Sequence, residues 1–149
     1  MGYTHHDKVS ANSFAIGQKG SEIDLNVDQD ILNAIIEDVS TADKTYVVAP
    51  YACTFEKAYS VLQGPITTAG AATINFYVGS TAATAVTGGA LTIAATSSEG
   101  DVDVNAPTAE NTLTAGQALV ALSDGGSTTD TSGGDTTSPA RLSIILKRV

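Results

Sequence analysis

The chain has 149 residues and a formal charge of −9, from 16 Asp and Glu against 7 Lys and Arg. That length suits one domain with its own core, and the acidic balance with scattered basic residues argues against nucleic-acid binding, which needs clustered Lys and Arg. No apolar run nears the roughly 20 residues of a membrane helix, and a single cysteine, Cys53, cannot form an intrachain disulfide.

The first segment, 1–21, has no sustained period of 2 or 3.6. It reads as an extended arm, either an unstructured terminus or a segment that orders against a partner. With Lys8 and Lys19 against Asp7 it is slightly basic on an acidic protein. Nothing in the first ten residues resembles the apolar core of a secretory signal, so synthesis in the cytoplasm is expected.

The stretch 22–39 supports two readings. Ile23, Leu25 and Val27 alternate with Glu22, Asp24 and Asn26, which is strand periodicity. Ile31, Leu32, Ile35, Ile36 and Val39 then trace a helical stripe that Asp30 could cap. The same residues are rich in β-branched side chains, so a strand remains open.

From residue 45 the signal is β. Thr45–Ala49 runs into Pro50, which marks a bend or an edge. Over 52–62, Cys53, Phe55, Tyr59 and Val61 are assigned to the apolar face, with Thr54, Glu56 and Ser60 opposite. Lys57 interrupts the apolar face and points to an edge or interface. Gln63-Gly64-Pro65 is a turn. Ile74, Phe76 and Val78 alternate with Thr73, Asn75 and Tyr77 until Gly79-Ser80. Gly88-Gly89 is a further break. Leu91, Ile93 and Ala95 alternate with Thr92 and Ala94, and Val102 and Val104 alternate with Asp101 and Asp103. Leu113 precedes a turn at Gly116, and Val120 and Leu122 follow. Leu142, Ile144 and Leu146 alternate with Arg141, Ser143 and Ile145. About eight short strands at this spacing predict an all-β antiparallel sandwich over 22–149 rather than βαβ units. The low-complexity run 124–138 is read as a long, flexible hairpin tip.

Candidates for chemistry are few. His5 and His6 lie in the arm, with no strand to fix a catalytic triad. His5-His6-Asp7 offers poor chelate geometry on an extended chain. Cys53 reads as a small core residue. Asp24-x-Asn26-x-Asp28 opens like a calcium loop but has Gln29 where Gly is needed and Ile35 where Glu is needed. Glu99, Asp101 and Asp103 could share one strand face and gather a cation, although a solvated outward face is the expectation. No cofactor, catalytic residue or metal ligand is assigned, and enzyme activity is not expected.

Three features together resemble a family. One is the VAPY strand passing into KAYSVLQGPITTA within 38–79. Another is GDVD followed by PTAENTLTAG within 87–128. The third is the glycine-rich tip before ARLSIILKR at 140–148. These runs look like the capsid decoration, or cement, proteins of tailed bacteriophages, over roughly 110 of the 149 residues. The FAIGQKGSEI run of the arm also looks like leader segments of such virion proteins. The resemblance implies a jelly-roll sandwich and a strand rather than a helix over 31–39. It implies a homotrimer on the outside of the virion that bridges major capsid protein subunits, with no nucleic-acid or membrane partner. The arm would bind the capsid through Tyr3, His5, His6, Lys8, Phe14, Ile16 and Lys19. Lys57, Tyr77 and Ile145 are candidates for the trimer interface. A competing expectation is a host-attachment or head-fibre module with the same fold, contacting its receptor through 124–138; a glycan array or a cell-binding assay separates the two.

Overall fold

The computed structural model describes residues 13–16, 23–26, 28–68, 71–80, 84–125, 128–129 and 138–149, with the backbone alone at 13–16, 23–26, 67–68 and 128–129. The described residues contain strands and no helix. In chain order the strands are β1 (Ser13–Ile16), β2 (Ile23–Asn26), β3 (Gln29–Ile36), β4 (Lys44–Val48), β5 (Cys53–Leu62), β6 (Ile66–Thr68) and β7 (Ala72–Val78). There follow β8 (Thr84–Ala85), β9 (Leu91–Ile93), β10 (Val102–Asn105), β11 (Thr112–Leu113), β12 (Ala118–Ser123), β13 (Thr128–Thr129) and β14 (Ala140–Arg148).

Two antiparallel sheets pack together. The first runs β10-β5-β14-β3, with β11 also on β5; the second runs β4-β12-β7-β8, with β9 also on β7. Following the principal strands, the chain passes from β3 in the first sheet to β4 in the second, back to β5, and across again to β7. There β9 pairs with β7 in the same sheet, and the chain returns through β10, β12 and β14, alternating between the sheets. That winding is a jelly roll, two Greek keys rolled into a double sheet. The period-2 pattern explains the packing: β7 buries Ala72, Ile74, Phe76 and Val78, and β14 buries Ala140, Leu142, Ile144 and Leu146. Phe55 of the first sheet meets Phe76 of the second, ring centroids 4.9 Å apart and tilted by 54°, within the range aromatic pairs prefer.

Over 31–36 the strand implied by the resemblance is present, and the helical stripe is not. An eight-residue ladder to β14 pairs Ile31 with Ile145 and Ile35 with Arg141. It turns Ile36 into the core and leaves Ile31 and Ile35 exposed. The strand stops at Ile36 because Asp38 and Asp43 take over the backbone: Asp38 accepts from Ser40 N at 2.9 Å, and Asp43 from Glu37 N at 2.9 Å. Pro50 follows β4, which is an edge strand, as the sequence predicts.

Three expectations are corrected. First, β5 does not keep one phase. Ile145 pairs with Lys57 and Leu146 with Phe55, so Glu56 is the extra residue of a β-bulge. Beyond it Ala58, Ser60 and Leu62 are buried, while Tyr59 and Val61 turn outward, opposite to the assignment from alternation. Second, 124–138 is not a hairpin tip: β12 and β14 belong to different sheets, so the segment crosses between them. Within it Thr128 and Thr129 pair with β6. Near its start is Gly125, whose φ of +69° and approach to the Thr41–Ala42 backbone leave no room for a Cβ, which would lie 2.8 Å from Ala42 N. Third, Glu99, Asp101 and Asp103 do not share a strand face. Glu99 and Asp101 precede β10, and Asp103 turns inward, leaving Val102 and Val104 outside. The cause is the bulge, because β10 pairs Val102 with Val61 and Val104 with Tyr59, and residues directly opposite share a face.

Candidate functional site

The outer face of the first sheet is built by four strands in register. Val102 and Val104 stand beside Val61 and Tyr59. Ser143 and Ile145 of β14 lie opposite Tyr59 and Lys57, and Asn33 and Ile31 of β3 complete the rows. Ile31 and Val102 are each 60% exposed, Val104 58% and Ile35 41%. Branched apolar side chains thus stand in water at both rims of one sheet, where a solvated face would alternate to polar residues. Two shallow depressions mark the face. One of about 350 Å³ is lined by Asn33, Ile35, Val61, Gln63, Arg141 and Ser143. The other, about 240 Å³, is lined by Gln29, Glu56, Lys57, Tyr59 and Ile145.

The same face gathers positive charge. Lys57 of β5 and Arg141 and Lys147 of β14 stand on it, while Arg148, paired with buried Cys53, alternates to the other side at the end of β14. Each is held by a neighbour. Lys147 Nζ lies 3.8 Å from Glu56 Oε1. Arg141 Nε donates to Gln63 Oε1 at 3.3 Å, and Lys57 Nζ stands 5.8 Å from the Tyr59 ring centroid. At the end of the sheet the Arg148 guanidinium covers the Tyr51 ring at 3.9 Å, and the Tyr51 hydroxyl donates to Asp30. A cationic, apolar surface on an acidic chain is suited to burying area against a surface of complementary charge.

Of the residues expected at an interface, Lys57 and Ile145 are cross-strand partners on this face. Tyr77 is on the outer face of the opposite sheet, in a row with Val120 and Tyr46, so the three are not brought together. Tyr3, His5, His6, Lys8 and Lys19 lie outside the described residues. Phe14 and Ile16 belong to β1, which pairs with β2, so the segment read as an arm contributes a strand to a hairpin. Cys53 is fully buried, and burial pushes its thiol up, toward the neutral form. Among the described residues no three His, Cys, Asp or Glu side chains come together as a metal site.

Asp103 is the one carboxyl turned toward the interior of the first sheet at this edge. Desolvation, and then the charge of Asp101, push it above the usual carboxylate range. A raised acid binds its proton more readily in the fold than in the unfolded chain. Its ionisation therefore penalises folding fully above the raised value, and the penalty is relieved as pH falls through it toward the unfolded value of about 3.9. Asp103→Asn is expected to raise the melting temperature at pH 7 in EDTA by about 2 °C and to flatten this part of the acid profile. Melts at pH 4 and pH 7 check it, and a variant less stable than the parent at pH 7 contradicts it.

Comparison with protein-family models, with curated proteins and with solved structures finds no match.

Proposed function

We propose that this chain is a structural virion protein that decorates the outer surface of a tailed-phage capsid. It performs no reaction and uses no cofactor. It is made in the host cytoplasm, assembles as a homotrimer and bridges subunits of the major capsid protein. The observation that carries the reading is the outer face of the first sheet. Behind it the jelly roll has a full core of its own, so Ile31, Ile35, Val102 and Val104 are left over for contact with another subunit. The sequence resemblance supports the same reading.

The charge distribution supports a second copy of this chain as the occupant of that face. Two copies meeting through the same patch would set Lys57, Arg141 and Lys147 against their own counterparts. A head-to-tail contact sets them against the acidic remainder of the neighbour, and head-to-tail contacts close into rings. A threefold ring also presents three arms to one capsid footprint, so a weak arm contact gains by avidity.

Native mass spectrometry, followed by co-sedimentation with expanded capsids of the same phage, tests the reading. The expected result is a trimer that sediments with capsids. Deleting residues 1–20 removes β1 and the basic arm and leaves the two main sheets, so the trimer mass should persist while capsid binding falls by at least ~10²-fold. Full decoration by the truncated protein would exclude the arm as the capsid anchor. A monomer that never sediments with capsids would overturn the whole proposal.

A further inference from the structure

At the β10 edge of the first sheet, three side-chain oxygens are buried without a hydrogen-bond partner among the described residues: Ser60 Oγ, Asp103 Oδ2 and Asn105 Oδ1. They are placed together by the ladder. Ser60 is directly opposite Asp103, and Asn105 is two residues along β10 on the same face. Ser60 is 1% exposed. The orientation of the Asn105 amide is fixed, because its Nδ2 donates to the Ala90 carbonyl at 2.7 Å and Oδ1 is the buried oxygen without a donor. The other polar side chains of the core are satisfied: Ser123 Oγ donates to Val39 O at 2.9 Å and Ser138 Oγ to Pro65 O at 2.9 Å.

Proton counting shows what the group needs. An ionised carboxylate and an amide oxygen only accept hydrogen bonds. The Ser60 hydroxyl has one proton and can serve one of them. At least one of these acceptors is therefore to be met from outside the described residues, and a carboxylate oxygen cut off from water without a donor is costly. The Asp101 carboxylate, whose charge acts on Asp103, increases the demand for positive charge.

We propose that Ser60 Oγ, Asp103 Oδ2 and Asn105 Oδ1 are the protein ligands of a calcium-binding site that fastens edge strand β10 to β5. Carboxylate, amide carbonyl and hydroxyl oxygens are the donor set of a hard cation. Calcium accepts six to eight oxygens in irregular geometry and completes its shell with water, whereas magnesium demands a near-ideal octahedron and gives up its waters reluctantly. One directly ligating carboxylate and two neutral oxygens place the affinity in the weak class, with a dissociation constant of roughly 10⁻⁴–10⁻³ M. This site differs from both motifs noted in the sequence. It uses Asp103 but neither Glu99 nor the Asp24-x-Asn26-x-Asp28 run, and two of its three ligands are uncharged.

The test is thermal unfolding of the full chain with calcium chloride as the probe, against EDTA and against magnesium chloride at matched ionic strength. The melting temperature should rise saturably with calcium, by about 4 °C at ten times the dissociation constant, and much less with magnesium. Asp103→Asn should abolish the calcium increment and Ser60→Ala should reduce it. Glu99→Gln, an exposed change outside the three oxygens, should keep it. If Asp103→Asn does not fold, Asn105→Asp decides instead, because a second carboxylate should tighten calcium about tenfold. A melting temperature that responds equally to both salts overturns the proposal. So does a calcium increment that survives Asp103→Asn, or an unchanged affinity in Asn105→Asp.

Discussion

Replacing Phe76 by alanine is expected to lower the unfolding free energy by about 4 kcal/mol, the range for a buried phenylalanine cut to a methyl group. Phe76 is 1% exposed at the centre of β7, and its ring touches that of Phe55 across the two sheets. The truncation removes burial, and it also leaves a cavity that strands held by ladders on both sides cannot close. Against a total stability of roughly 5–15 kcal/mol the loss is large, so the variant should melt far below the parent. Urea titration checks this, with the midpoint moving and the slope unchanged. Phe55→Leu in the parent and in Phe76→Ala closes a double-mutant cycle. A coupling of about 1 kcal/mol is expected from the ring pair itself. A loss under about 1 kcal/mol for Phe76→Ala would mean that the sheets do not meet where the jelly roll places them.

The strands with one clean phase were legible from the residues alone. In β7 and over residues 140–146 of β14 every second residue is apolar, and the burial follows that phase. β5 was not, because the pattern changes phase inside it. Size and hydrophobicity favour Tyr59 and Val61 over Ala58 and Ser60 as core residues, yet the fold buries the small pair. The signal was present nonetheless. An unbroken phase puts Lys57 inside and Leu62 outside, and a single inserted residue corrects both faults. Reading that insertion at Glu56 would also have turned β10, since its partners Tyr59 and Val61 carry Val104 and Val102 outward with them. The outer face was therefore hidden for one reason: alternation fixes two faces, but only pairing says which face meets the other sheet. At 31–36 the stripe of isoleucines fits a helix by spacing and a strand by β-branching. The ladder to β14 decided between them, and that is a contact between residues some hundred positions apart that no local window contains.

Ile31→Asp combined with Val104→Asp is expected to dissociate the proposed trimer while leaving the fold intact. Both side chains are exposed in the single chain, so the stability cost should stay within about 0.5 kcal/mol. In the assembled ring the same positions would be desolvated. Each new carboxylate would there lose its water without gaining a designed partner, and it would face the acidic surface of the neighbouring copy. Breaking or creating an uncompensated buried charge costs about 3–5 kcal/mol, and about 1.4 kcal/mol is a factor of ten. The dissociation constant should therefore rise at least ~10³-fold per contact, and a head-to-tail ring contains that contact at every junction. Light scattering at micromolar concentration should find a monomer whose melt is that of the parent. Ile31→Lys with Val104→Lys is the sign control. Lysines also remove the apolar contact, but they face an acidic neighbour, so the assembly should be weakened less than by the aspartates. Equal dissociation by both pairs would leave the apolar contact standing and remove the charge argument for a head-to-tail ring. A trimer that survives the aspartate pair would move the interface off this sheet altogether, to the face that carries Tyr46, Val120 and Tyr77.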